Sequence, residues 1–424
     1  GKLALAERDA LLESMTDEVA GLVLRDNYLQ SQALSVALAN APEMLDTHQR
    51  LMQSLERSVH LDRKVACLPD DEELKTRRSA GLGLTRPELA VLLAYTKIAI
   101  YVEVIRSRLP DDQLFSQDLL AYFPKPLQAR YAAEIDSHPL RREIVATVVV
   151  NGMVNRVGSG FVNDLQEKTG CTDDEAMRAY AVVRDIFGLE KYWAAVEGLD
   201  GKVPGATQVA LLLEARRLVE VATLWVLRNV AGPIDVSSAA RRFGPRVEKL
   251  IEQIPSLVGN ERRVDYEARL AADMLQGIPL DLARYYAAMP DLECALDIVL
   301  LAEYFDMPID KVGRLYFSIY ETLGLPLLKN AAAAIPCRNA MEDLAVTGLV
   351  DQIGDSFSRL VGRITAEPGL QAGDGGAVLD SFLASKSYQT GRLQTLIAEL
   401  RRGESPSLAM LVVANHTVAS IAGN

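Results

Sequence analysis

The sequence predicts an all-α protein, a multi-helix array or set of bundles without a dinucleotide-binding sheet, and three observations carry that prediction. Apolar residues recur at helical spacing from one end of the chain to the other. Capping-box signatures open two of the apolar runs, at Thr85-Arg86-Pro87-Glu88 and Thr172-Asp173-Asp174-Glu175. Nowhere do short strands alternate with helices as a parallel sheet requires. Composition agrees: aromatics make up 6% of the 424 residues, and Ala and Leu are abundant.

Residues 7–40 read as helix, with Thr16-Asp17-Glu18 as a helix start, and 43–60 as a second helix. The polar stretch 62–80 reads as a connector or short exposed helix. From Thr85 the run Leu89-Ala90-Val91-Leu92-Leu93-Ala94-Tyr95 makes a buried helix, which Pro110-Asp111-Asp112 stops; another covers 113–121. Pro139 begins a helix that runs to about Val157. Its Val148-Val149-Val150 would suit a strand in isolation, but Leu140, Ile144 and Val148 keep a four-residue spacing. A helix over 173–187 ends at Gly188, which suits a left-handed stop. Helices then follow at 207–229, 237–253, 261–275, 280–288, 291–305, 308–323, 340–364, 377–402 and 406–421.

The length exceeds one ordinary core. The Gly- and Pro-rich stretch 196–206 is the clearest linker, and 367–376 is a second flexible loop. The expected division is a helical connector over 1–80, a first helical subdomain over 81–200 and a second over 201–424. A repeat crosses the linker. Arg178, Tyr180, Gly188 and Leu189 recur as Arg314, Tyr316, Gly324 and Leu325, each 136 residues later, and Leu165 and Glu167 match Leu301 and Glu303. Two related helical units are expected.

Charge and motif content exclude several functions. A net charge of −12 argues against nucleic acid, and no run of about 18 apolar residues offers a membrane span. Cys67, Cys171, Cys294 and Cys337 stand far apart, which argues against zinc and disulfides and fits a reducing cytoplasm. The start, Gly1-Lys2-Leu3-Ala4-Leu5, has neither an initiator Met nor the apolar core of a signal peptide, so a piece of a longer polypeptide is expected. Gly81-Leu82-Gly83 and Gly158-Ser159-Gly160 approach the dinucleotide fingerprint, but each lacks the third Gly and a preceding strand. His48, His60, His138 and His416 form no helical metal pair, and the acidic doublets Asp70-Asp71, Asp111-Asp112 and Asp173-Asp174 lack the third carboxylate of a diphosphate site. No catalytic, cofactor or metal residue is expected.

One constellation stands out. Leu140, Ile144, Val148, Asn151 and Asn155 share a narrow helical stripe that changes from apolar to amide, with Arg156 beside its end. Asn151, Asn155 and Arg156 are therefore the candidate polar contact or pocket. The alternative is an amide network that fixes helix register, and buried amides left unbonded would cost about 1–3 kcal/mol each.

Three blocks carry a family resemblance: Met15-Thr16-Asp17-Glu18-Val19-Ala20 with Leu22 to Tyr28 and Gln30; Leu84-Thr85-Arg86-Pro87-Glu88 through Lys97; and Asn151-Gly152-Met153-Val154-Asn155-Arg156-Val157-Gly158 with Phe161-Val162. In order and spacing they resemble the large bacterial NAD-specific glutamate dehydrogenases, in the helical region after the catalytic domain. The resemblance implies a cytoplasmic, homo-oligomeric parent that oxidatively deaminates L-glutamate to 2-oxoglutarate and ammonium with NAD⁺. Its catalytic and NAD-binding residues would lie upstream. The chain is then expected to be a non-catalytic structural or regulatory appendage that binds no cofactor, with residues 7–40 as the joint to the catalytic domain. The alternatives are an allosteric module that binds an amino acid or another anion near Asn151–Arg156, and an independent helical scaffold.

Overall fold

The computed structural model describes residues 3–337, 340–367 and 375–423. Among them are 22 α-helices, two short 3₁₀ turns and no strand. They form two compact units, Gly1–Gly244 and Pro245–Asn424.

In the first unit, helix Leu5–Ala39 runs unbroken for 35 residues, about 52 Å. Thr16 does not start a helix, as its hydroxyl donates to the Leu12 carbonyl one turn back (3.2 Å). Nothing between Leu5 and Thr16 interrupts a helix, so the cap-like triplet is absorbed. Helices Leu45–Ser58, Asp71–Ser79 and Arg86–Arg106 follow. The connector over 62–80 thus contains a helix, opened by the Asp70 carboxylate accepting from the Glu73 N–H (2.9 Å). Leu45, Met52, Leu74, Leu84, Leu89 and Leu92 close a core between these elements, each contributing about 1.5–3 kcal/mol by burial.

Helix Arg141–Val157 takes the three valines as helix, beginning two residues after Pro139. Its deep face is Val145, Val149, Met153 and Val157, packed on Arg86–Arg106 and Ser116–Tyr122. The expected stripe through Leu140, Ile144 and Val148 lies on its flank instead, with Leu140 53% exposed. In a run of valines the four-residue spacing fits more than one face. Helices Phe161–Thr169 and Leu189–Glu197, absent from the sequence expectations, flank Asp173–Ile186. They are short, and glycines bound both of them. Thr172 and Glu175 form the expected reciprocal cap, with N–H to oxygen distances of 3.2 and 2.8 Å.

The Gly- and Pro-rich stretch over 196–206 is not a boundary between compact units. It is a tight turn with Gly201 at φ +69°. Helix Gly205–Asn229 returns to pack on Asp173–Ile186, and the Tyr192 hydroxyl donates to the Leu211 carbonyl (3.0 Å). The division falls later, inside helix Val236–Leu257 at Gly244-Pro245, where proline removes a helical hydrogen bond.

The second unit contains Asn260–Leu275, Leu280–Leu292, Ala295–Tyr304, Ile309–Thr322, Leu325–Ala333, Ala340–Thr365, Gly375–Ser385, Ser387–Arg401 and Leu408–Ala422. Ala340–Thr365 lies along Leu408–Ala422, where Asn415 Nδ2 donates to Gln352 Oε1 (2.7 Å), and its Phe357 packs edge-on against Tyr316 of Ile309–Thr322 with ring centroids 5.0 Å apart. The helix expected over 377–402 is two, broken at Lys386, whose ψ of +29° leaves the helical range. Residues 368–374 of the expected loop lie outside the described residues.

The repeat extends to whole helices. Asp173–Ile186 and Leu189–Glu197 have counterparts Ile309–Thr322 and Leu325–Ala333, and all four ends shift by 136 residues (173 to 309, 186 to 322, 189 to 325, 197 to 333). Gly205–Asn229 corresponds to Ala340–Thr365 within one residue. Gly188 and Gly324 take the same left-handed conformation, φ +60° and +67°, between the paired helices. The Asp174–Arg178 ion pair recurs as Asp310–Arg314.

Candidate functional site: a polar joint at Arg156

Arg156 leaves the last turn of helix Arg141–Val157 and lies almost fully buried. Its Nη1 donates to Gln32 Oε1 (3.0 Å), its Nη2 stands 2.8 Å from Glu197 Oε1, and its guanidinium covers the Trp193 ring at 4.8 Å. Trp193 and Glu197 are four residues apart and so share one face of helix Leu189–Glu197. Glu197 Oε2 also accepts from Arg25 Nη1 (2.5 Å).

The network continues along the first helix. Gln32 Nε2 donates to the Tyr28 hydroxyl (3.1 Å). Burial, reinforced by a hydrogen bond to Asp200, pushes the Tyr28 phenol up to about 12. Asp200 accepts in turn from Gln208 Nε2 (2.8 Å). Arg25, Tyr28 and Gln32 line one face of helix Leu5–Ala39 because they are three and four residues apart. Both guanidiniums, of Arg25 and Arg156, converge on the single Glu197 carboxylate.

Both ends and one face of the Arg156 guanidinium are taken by protein groups. Asn155 lies beside it, half-buried, with Oδ1 secluded and without a donor. Asn151, one turn earlier, is half-buried and outside this network. Of the three expected residues, Arg156 is central, Asn155 adjacent and Asn151 separate. Arg25, Tyr28, Gln32, Trp193 and Glu197 were missed: their partners lie over a hundred residues away in sequence or on a helix not foreseen.

A second polar cluster joins helices Leu45–Ser58, Phe161–Thr169 and Gly205–Asn229. His48 is buried, and burial assisted by the Arg216 charge lowers its imidazole to about 4. Burial raises the Asp164 carboxyl to about 6, against the pull of Arg50 and with the push of Glu220. Arg50 meets Glu167 at 2.9 Å and Asp164 at 3.5 Å. In the two Gly-x-Gly strings, Gly83, Gly158 and Gly160 serve close packing, while Gly81 holds a left-handed turn at φ +66° with open space around it. A Cβ on Gly158 would stand 3.2 Å from Arg216 Nη1, one on Gly160 would be 2.6 Å from Thr47, and one on Gly83 would be 2.2 Å from the Ala41 backbone. Among the described residues no three His, Cys, Asp or Glu side chains gather as a metal site. No single helix there is long and apolar enough to cross a membrane. The bent pair Arg141–Val157 and Phe161–Thr169, which passes that test jointly, supplies core residues of the first unit.

The fold and the site thus define an all-helical segment in which one long helix is held to the body by a buried arginine joint. The sequence comparisons specify which. The family described as glutamate dehydrogenase, C-terminal, matches residues 81–420, and the chain belongs to it. The family described as bacterial NAD-glutamate dehydrogenase, catalytic domain, matches residues 1–37. The NAD-specific glutamate dehydrogenase of Pseudomonas aeruginosa is 33% identical over 426 residues, covering 100% of this chain and 26% of the relative. That of Halomonas elongata is 32% identical, covering 100% and 26%, and that of Mycobacterium tuberculosis 32%, covering 98% and 25%. The chain thus spans about a quarter of the length of these relatives. Residues 1–37, read above as following the catalytic domain, match the catalytic domain itself.

Proposed function

We propose that this chain is the non-catalytic C-terminal helical portion of an NAD-dependent glutamate dehydrogenase. The parent oxidatively deaminates L-glutamate to 2-oxoglutarate and ammonium, with NAD⁺ taking the hydride at residues upstream of the helical body. It acts in the cytoplasm as a homo-oligomer. The helical body is a structural and regulatory appendage that fixes the position of the catalytic part.

One observation carries this reading. The helix that matches the catalytic domain, Leu5–Ala39, is fastened to the body that matches the C-terminal family by Arg25–Glu197 and by Gln32–Arg156. Further ties run along the same helix, from Glu7 to Arg130 and from Glu18 to the Lys125 N–H. A rigid helix of this length passes a displacement at one end to the other, so its seating can restrain the domain movements that gate an active site. The anion-binding alternative is weaker, because an incoming carboxylate would have to displace Gln32, Glu197 or Trp193 from Arg156. Deleting residues 81–424 from the parent tests the proposal. Turnover, thermal stability or oligomeric state is expected to change, and no change in all three contradicts it.

A further inference from the structure

We infer that an apolar stripe on the first helix, Leu5, Leu12, Val19 and Val23, is the face onto which the upstream catalytic part of the parent polypeptide docks. This rests on the reading above that such a part precedes the helix.

The stripe is regular. Its members are seven, seven and four residues apart, so at 100° per residue they fall within about 40° of one another. They are 66%, 54%, 44% and 55% exposed. Scattered apolar residues on a surface are ordinary, but a straight row along several turns of one helix marks an interaction face. Through the same stretch only Met15 is buried.

The other side of the helix is already in use. Glu7, Glu18, Arg25, Tyr28 and Gln32 make the polar ties to the rest of the first unit. Their mean direction is roughly 150° round the helix axis from the stripe. The helix is therefore held by one side and presents apolar side chains on nearly the opposite one.

The occupant follows from the family matches. Residues 1–37 match the catalytic domain, and the chain covers 26% of relatives that carry the rest. A helix that belongs to a catalytic domain buries an apolar face in that domain, and this helix has one such face uncovered.

The test uses Leu12→Cys and Val19→Cys, made singly in this chain and in the full-length parent, and a water-soluble maleimide. Labelling is expected to be at least about tenfold slower in the parent than in the chain alone. A photo-crosslinking side chain at position 12 of the parent is expected to join residues upstream within the same polypeptide. Equal labelling in both proteins, or crosslinks to a second copy, would overturn the inference. Activity is read separately. A parent with a protected stripe that fails to reduce NAD⁺ with glutamate supports the docking face and contradicts the proposed activity.

Discussion

At the scale of single residues, Arg156 is tied at both ends and on one face of its guanidinium, and its loss should register as instability. Arg156→Met keeps most of the aliphatic contact but leaves Glu197 with Arg25 alone and Gln32 Oε1 without its donor. Removing one partner of a buried ion pair costs about 3–5 kcal/mol, and the shared Glu197 places this case near the lower end. Arg156→Lys should recover less than half of the loss, because an ammonium cannot both fork between two acceptors and stack on Trp193. Urea unfolding of the three proteins measures this, and a change under about 1 kcal/mol for the Met variant would show the joint to be idle. His48 and Asp164 yield a different prediction. Folding lowers His48 from 6.5 to about 4, so stability rises with pH across that window. It raises Asp164 from 3.8 to about 6, so the folded state holds the extra proton and stability falls with pH across nearly the same window. The two offset each other in the native chain. Asp164→Asn removes the second, so the variant should gain about 2 kcal/mol relative to the native chain between pH 4 and pH 6.5. A pH-independent difference between the two proteins would contradict the assignment.

At the scale of elements, the paired glycines make a controlled comparison. Gly188 and Gly324 hold equivalent left-handed turns, so alanine at either incurs the backbone cost of roughly 1–2 kcal/mol. Space around them differs. A Cβ at Gly188 meets nothing within 4 Å, whereas one at Gly324 comes within 2.8 Å of Ile397. Gly324→Ala should therefore destabilise by more than Gly188→Ala, by about 1 kcal/mol or more. Equal melting points for the two variants would count against the packing described. Both glycines were legible in the sequence because a left-handed stop has a residue signature. The capping boxes at Thr85 and Thr172 were legible for the same reason. The Thr16 triplet was not a start, because a local cap signal cannot outweigh an uninterrupted helix on both sides. The buried face of Arg141–Val157 was misread because a valine run carries little directional information. Short helices such as Leu189–Glu197 fall below the length at which periodicity speaks.

At the scale of the whole molecule, the all-helical class and the repeat were written in periodicity, and the helix ends extend the repeat to three consecutive helices. Composition placed a break near residue 200, but the Gly-Pro stretch there is a hairpin between packed helices, and the units part at Pro245. The joint at Arg156 was half legible: an arginine after two amides was conspicuous, but its partners come from positions 25, 32, 193 and 197. The joint at Arg156 fastens the helix that matches the catalytic domain to the body that matches the C-terminal family, and the proposed function puts the chemistry upstream of that body. Glutamate-dependent reduction of NAD⁺, measured at equal molar concentration for this chain and for the full-length parent, tests that claim most directly. The account predicts turnover by the parent and none by the chain; turnover by the chain alone would contradict it.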